Sequence, residues 1–362
     1  MHMEREMSAH ERLVPRATGT GDLFAVRGKQ RYLLILMCML LCSIMLSLAL
    51  GAYAVSLKGT VSVLVAHLTP FGDVGSLHPV QDKVIWNLRF PRILVAIVVG
   101  VSLSVSGAVF QSVFRNPLVE PYILGVSSGS AFGAACSIVF PTIFFSVQGT
   151  AFLFGSVAVG AAYALSRVRG DTPVITLVLS GVIIGSVFSS FVSILKYVAS
   201  DTALRDIVFW LMGGFYYASW DDVFVSLPIV TLSILFLWSY GWKLNILSMG
   251  DEEARCLGVN PEHAKLAVVS VATLLTAYAV SLAGIIAWVG LMMPHAARLL
   301  FGPDNRYVLP ASALMGAIYL IVCDTIARTV ASAEIPVGII ASILGAPYLC
   351  YLLRNKGRVI YG

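Results

Sequence analysis

Ten apolar runs, each close to the length that crosses a bilayer as a helix, follow one another along this chain and leave little room for any other architecture. They occupy about 32–55, 92–113, 121–140, 149–166, 174–196, 223–242, 264–282, 284–301, 308–328 and 336–353. The runs at 149–166 and 284–301 are short, and 264–301 is divided only by "SLAG", so nine or eleven spans stay open. The sequence is 58% hydrophobic and 12% charged, against about 25% charged in a typical soluble domain. So few polar residues cannot coat a water-facing surface. We therefore expect an all-α polytopic membrane protein. A polar tail over 1–30, expected to be disordered, precedes a single transmembrane domain over 31–362, with no soluble domain beside it.

Orientation follows from the loops, because cytoplasmic segments carry the excess of Lys and Arg. With the N-terminus inside, 17 of the 24 basic residues fall in inside segments and 7 outside. Leaving out the six in the tail still gives 11 against 7. Both termini are therefore expected in the cytoplasm, and the net charge of +5 reflects topology. No basic patch interleaved with aromatics points to nucleic acid. The run from Leu33 follows "RGKQR" but is too long for a signal peptide, so it reads as the first span. The six cysteines are scattered, with neither metal-ligand nor disulfide spacing. Neither a metal nor a cofactor is expected. His67 and His78 share the first outside loop, and two histidines in a long loop do not make a ligand set.

Three connections carry information. Residues 56–91 form an outside loop ending in "WNLRFPR". Residues 197–222 form a second, read as a short amphipathic helix at the interface with Trp210, Tyr216, Tyr217 and Trp220 as anchors. Residues 243–264 form the longest inside loop. Small residues crowd several spans, as in "GVSSGSAFGAA" and "SGVIIGSVFSS". Between membrane helices, close backbone approach supplies the contact energy that hydrophobic drive cannot.

The stretch "FRNPLVEPYILGVSSGSAFGAA" is an abrupt polar interruption. Arg115 and Asn116 end a span at the inner face. Pro117 and Pro121 lack amide donors and prevent a continuous helix. Glu120 stands before the next helix, where negative charge is favoured, and Gly125 opens a helix that neighbours must approach closely.

These words resemble the signature of the FecCD-type permeases, the membrane subunits of ABC importers for ferric siderophores, haem and cobalamin. Further resemblances follow in register: "RFPR" at 89–92, "WLMGGF" at 210–215, "GDEEARCLGVN" at 250–260, "GIIAWVGLMMPHAARLLFGPDNR" at 284–306 and "AEIPVGIIASILGAP" at 333–347. The resemblance implies ten spans, a homodimer around a central pathway in the bacterial or archaeal cytoplasmic membrane, two ATP-binding subunits inside and an extracytoplasmic binding protein outside. It implies binding-protein docking by Arg89, Arg92 and Arg328. It implies ATPase coupling through Gly250, Asp251, Glu252, Glu253, Ala254, Arg255, Leu257 and Gly258. It implies a cytoplasmic gate near Thr172 and Pro173, where the proline departs from the family pattern.

The residues themselves agree in part. Gly250 and Gly258 bracket a short acidic helix, and Pro261 restarts the next. Arg328 also has a local partner in Asp324, four residues earlier. His295, in "PHAAR", has no evident co-ligands. No "GxxxxGK[ST]" loop occurs, so ATP hydrolysis belongs to another chain. An ion-coupled secondary transporter is the alternative. It needs ionisable groups near the membrane centre, and the span middles as read here carry no acid.

Overall fold

The computed structural model describes residues 19–51, 53–70, 73–144, 146–167, 172–331 and 333–360. The chain opens with α1 (Gly19–Ala49), which starts inside the stretch expected to be a disordered tail, so residues 19–30 are helical. Outside it come α2 (Leu57–Leu68), α3 (Pro79–Asp82) and a π-helical stretch, Lys83–Arg89, which runs straight into α4 (Phe90–Val113). Then follow α5 (Val126–Val139), α6 (Val147–Ser166) and α7 (Val174–Val198). The outer helix α8 (Asp201–Met212) leads to α9 (Trp220–Ser239), and the inner helices α10 (Gly241–Leu247) and α11 (Asp251–Cys256) follow. The last four are α12 (Pro261–Ala283), α13 (Val289–Phe301), α14 (Asn305–Ala327) and α15 (Val337–Ile360).

Among the described residues, seven helices are long and apolar enough to cross a membrane. α5, α13 and the apolar part of α15 are shorter and fill the remaining places in the expected order. The "SLAG" pair resolves into two separate helices, α12 and α13. The contacts gather at each end of the bundle the segments expected to share a side. Arg328 at the end of α14 reaches Ser47 and Leu50 at the end of α1, both expected outside. Asn245 of α10 reaches Asp304 before α14, both expected inside.

Local signals set the helix starts. Ser56, Ser146, Ser200 and Ser219 cap α2, α6, α8 and α9 by accepting from backbone N–H groups. Ser219 and Asp222 complete a capping box. α4 is the central mast, buried almost continuously from Pro91 to Val113. Glycine makes that burial possible: a Cβ on Gly107 would collide with the Gly290 carbonyl of α13, and one on Gly100 with that of Gly316 in α14. The outer histidines have structural roles. His67 bonds Asp82 at 2.7 Å and stacks on Trp86, and His78 precedes α3 as its cap residue. Trp220 packs against Trp86 and donates to its carbonyl, so it is not a free interfacial anchor.

Candidate functional site

At the inner face, α11 is a single rigid turn-and-a-half. Gly250 (φ +147°) precedes it, and Asp251, Glu252 and Glu253 occupy its first turn. Its C-terminus is a Schellman motif: Val259 N–H donates to Ala254 O (2.9 Å) and Gly258 N–H to Arg255 O (3.0 Å). Gly258 takes φ +76°, as a glycine ending a short helix should. Asn260 caps α12 and Pro261 is its first residue. Ala254 is fully buried and anchors the turn, while Leu257 is exposed. Lys265 ties α12 to Asp251 at 2.5 Å.

The polar signature turn lies beside this element. α4 ends in the same motif, with Asn116 N–H on Gln111 O and Arg115 N–H on Ser112 O. Here Arg115 itself takes the left-handed conformation, φ +51°, at a cost of about 1–2 kcal/mol for a residue with a Cβ. Its guanidinium stands 3.4 Å from where a Cβ on Gly250 would lie. Asn116 Oδ1 accepts from Leu118 N–H, and Pro117 lies in the turn. Deeper in, Asn245 donates to Asp304 and accepts from Asn305 N–H, whose side chain accepts from Ser112. Burial alone would raise the Asp304 pKa, but hydrogen bonds from Arg306 and Asn245 outweigh it and hold it down to about 2. Asp304 therefore stays charged at any pH near neutrality. Arg298 donates to Gln111, Ala108 O and Ser112 Oγ. Gln111 in turn donates to Leu291 O (3.1 Å). It also reaches Gly290 O (3.5 Å), the carbonyl left without its helical partner by Pro294.

The third span does not begin at the inner face. The turn re-enters, so Pro121 would meet a Cβ placed on Gly290, itself packed at Leu103 and Gly107 near the middle of α4. There it meets a second break. Residues 284–288 are unwound between α12 and α13, and Trp288 sits at φ +75°. Tyr122 Oη donates to Ile286 O at 2.7 Å, and Glu120 stands two residues before Tyr122. Trp288 lies against Gly345, about 12 Å along α15 from its outer end at 1.5 Å per residue. Glu120, expected in an inner-face turn, is therefore a carboxylate at membrane depth. Gly125 (φ +80°) opens α5 against Gly181 and Gly185 of α7.

The outer arginines are brought together, but they are turned inward. Arg89 is 7% exposed, and its donors go to the carbonyls of Leu48 (2.6 Å), Ala49 and Tyr53. Arg328 is 8% exposed and holds Asp324, Leu50 O and Ser47. Arg92 bridges buried Asp324 (2.9 Å) and half-exposed Glu334 (2.8 Å). The local Arg328–Asp324 pair is present, at 3.2 Å. The forks of Arg89 and Arg328 are taken up within this chain by the end of α1 and the residues just after it.

Thr172 is buried against the inner ends of α4, α6 and α12, and Pro173 is exposed as the cap of α7. The rest of that turn, residues 168–171, lies outside the described residues. Among the described residues no three His, Cys, Asp or Glu side chains converge as a metal site. Reading the sequence by spans missed Gln111 and Tyr122, and the depth of Glu120, and saw Asp324 only as a partner of Arg328 and not of Arg92. The signal available was their chemistry, a polar group inside or next to an apolar run.

Among the described residues, seven helices long and apolar enough to cross a membrane, with shorter apolar helices between them and two broken segments meeting inside the bundle, make this a multi-pass membrane protein. The chain belongs to the FecCD transport family, whose profile matches residues 39–355. It is 43% identical to the cobalamin import system permease protein of Halobacterium salinarum, over 75% of this chain and 74% of that one. It is 37% identical to the molybdate import system permease protein of Haemophilus influenzae, over 88% and 95%. A solved metal-chelate type ABC transporter in an inward-facing conformation superposes with a TM-score of 0.80 at 35% identity, covering 90% of this chain and 99% of the other.

Proposed function

We propose that this chain is the membrane subunit of an ATP-driven importer that brings a metal chelate, whether a ferric siderophore, haem or a corrinoid, into the cytoplasm. The observation that carries this reading is α11. It is a short helix locked at both ends, anchored by Ala254 and wedged against Arg115, with acids and Leu257 facing outward. Such an element has no transport chemistry of its own and suits docking in a groove of an ATP-binding subunit. Two such subunits act on a homodimer. The second copy packs on α7, whose exposed face carries Gly185, Ser186 and Ser189. A loaded binding protein docks outside around Arg92 and Glu334, with Arg89 and Arg328 as the scaffold beneath. Thr172 and Pro173 close the inner end of the pathway.

One observation favours the ion-coupled alternative: Glu120 is an acid at membrane depth, with no ion pair to it among the described residues. Such a residue is a functional candidate by default. Reconstitution separates the two readings. Proteoliposomes holding the permease, its ATP-binding subunits and the binding protein are expected to accumulate chelate only with ATP. Uptake driven by a proton or sodium gradient without ATP would reverse the choice.

A further inference from the structure

We propose that the cavity beneath α8 is a holding site for cargo, shaped for a metal chelate with a flat aromatic surface and an acidic edge. The inference rests on the importer reading above and goes on to name the chemistry of the cargo. The cavity measures about 790 Å³, within the range of small-molecule sites. It lies at the outer end of the bundle, between α8, the first turn of α6 and the last turn of α12.

Its walls follow from the two faces of α8. Ile207 is buried with Ala135, Cys136 and Leu195, which pins one face of the helix to α5 and α7. Phe209 and Trp210 line the cavity, and the following loop adds Tyr216 and Tyr217. Four rings around one space favour a ligand with a π surface, which they can meet by offset or edge contacts. Arg205 and Asp206, both exposed, line it along with Gln148. A guanidinium there can take a carboxylate or catecholate edge through two parallel hydrogen bonds.

Position is independent support. The Tyr216 ring faces Arg92 of the outer cluster at 5.8 Å. Gly284, where the unwound segment begins, also lines the cavity. The space thus lies between the face where cargo is delivered and the break that leads inward.

The test uses the permease with its ATP-binding subunits in nanodiscs, without binding protein. Haemin and a ferric tricatecholate are the probes, cobalamin is the comparison ligand, and bound metal is read by equilibrium dialysis. At least one aromatic chelate is expected to bind saturably, one per permease chain, with cobalamin at least tenfold weaker. Gln148→Trp fills the mouth from an exposed position, and Arg205→Glu reverses the charge there. Each is expected to weaken binding at least tenfold, with the unfolding midpoint unchanged. Three results would overturn the proposal: no saturable binding of either aromatic chelate, binding untouched by both variants, or a stoichiometric phospholipid in the wild type that Gln148→Trp expels. ATP-driven uptake with the binding protein separates this inference from the reading beneath it. Uptake indifferent to both variants sinks the cavity and leaves the importer standing, whereas no ATP-driven uptake of any chelate sinks both.

Discussion

Helices α4 and α7 are nearly equal in length, at 24 and 25 residues, and equally apolar to the eye, yet they live in opposite surroundings. α4 is enclosed almost from end to end. α7 buries only Leu177, Ser180, Gly181, Val192 and Leu195, and leaves Ile183, Val187 and Ile194 bare. Both carry serines, and in both the hydroxyls turn back onto their own helix: Ser102 and Ser104 in α4, Ser186, Ser190 and Ser193 in α7. Hydroxyls satisfied this way survive without water. The difference therefore lies in the neighbours. Glycine in α4 meets backbone, as Gly181 does on the buried edge of α7; Gly185, on the open side of α7, meets ordinary van der Waals distance, 3.6 Å from Gly125 Cα to an added Cβ. α4 is scaffold and α7 is a face.

Several substitutions would break or sharpen that contrast. The largest effect is expected at the outer lock of the scaffold. Asp324→Ala strands Arg92 and Arg328 as buried cations, a loss of about 3–5 kcal/mol, read as a lower unfolding midpoint in detergent. An unchanged midpoint would mean that the cluster does not hold α4 to α14. Next comes Gly107→Val, where the new side chain must displace the Gly290 carbonyl. About 3 kcal/mol and a poor yield of monodisperse protein are expected; normal yield would show that α13 can retreat.

Gly258→Val should leave the fold standing, since nothing lies within 4 Å of an added Cβ there. Its strain is local, about 1–2 kcal/mol for a left-handed residue. ATP-driven uptake and substrate-stimulated hydrolysis should nonetheless fall together, with Glu253→Gln milder. Full stimulation in the valine variant would remove α11 from the coupling role. The smallest effect belongs to the open face. Gly185→Ala is expected to shift stability by less than about 0.5 kcal/mol; a large drop would reveal α7 as more tightly packed than its surface shows.

The sequence made the span order, the sidedness and the bracketed inner helix legible, because each rests on local composition: apolar length, loop charge, and Gly and Pro at turns. It did not reveal the depth of Glu120. That depth is set by Gly107, Gly290 and Pro121 meeting across 180 residues of chain, and no local pattern carries it. Nor could it tell an arginine turned outward from one turned inward. Arg89 and Arg328 read alike in either case, and only the carbonyls at the end of α1 decide between them.

The amide of Gln111 carries a mechanical consequence. A proline inside a helix ordinarily makes a joint, since the bond it cannot form leaves the turn free to bend. At Pro294 the gap is braced from a different helix, which also grips the preceding turn through Val119 O and is itself gripped by Arg298. Two spans and a turn are thereby bolted into one body. Whatever swings when cargo passes, the inner end of α4 and the first turn of α13 are tied to travel together.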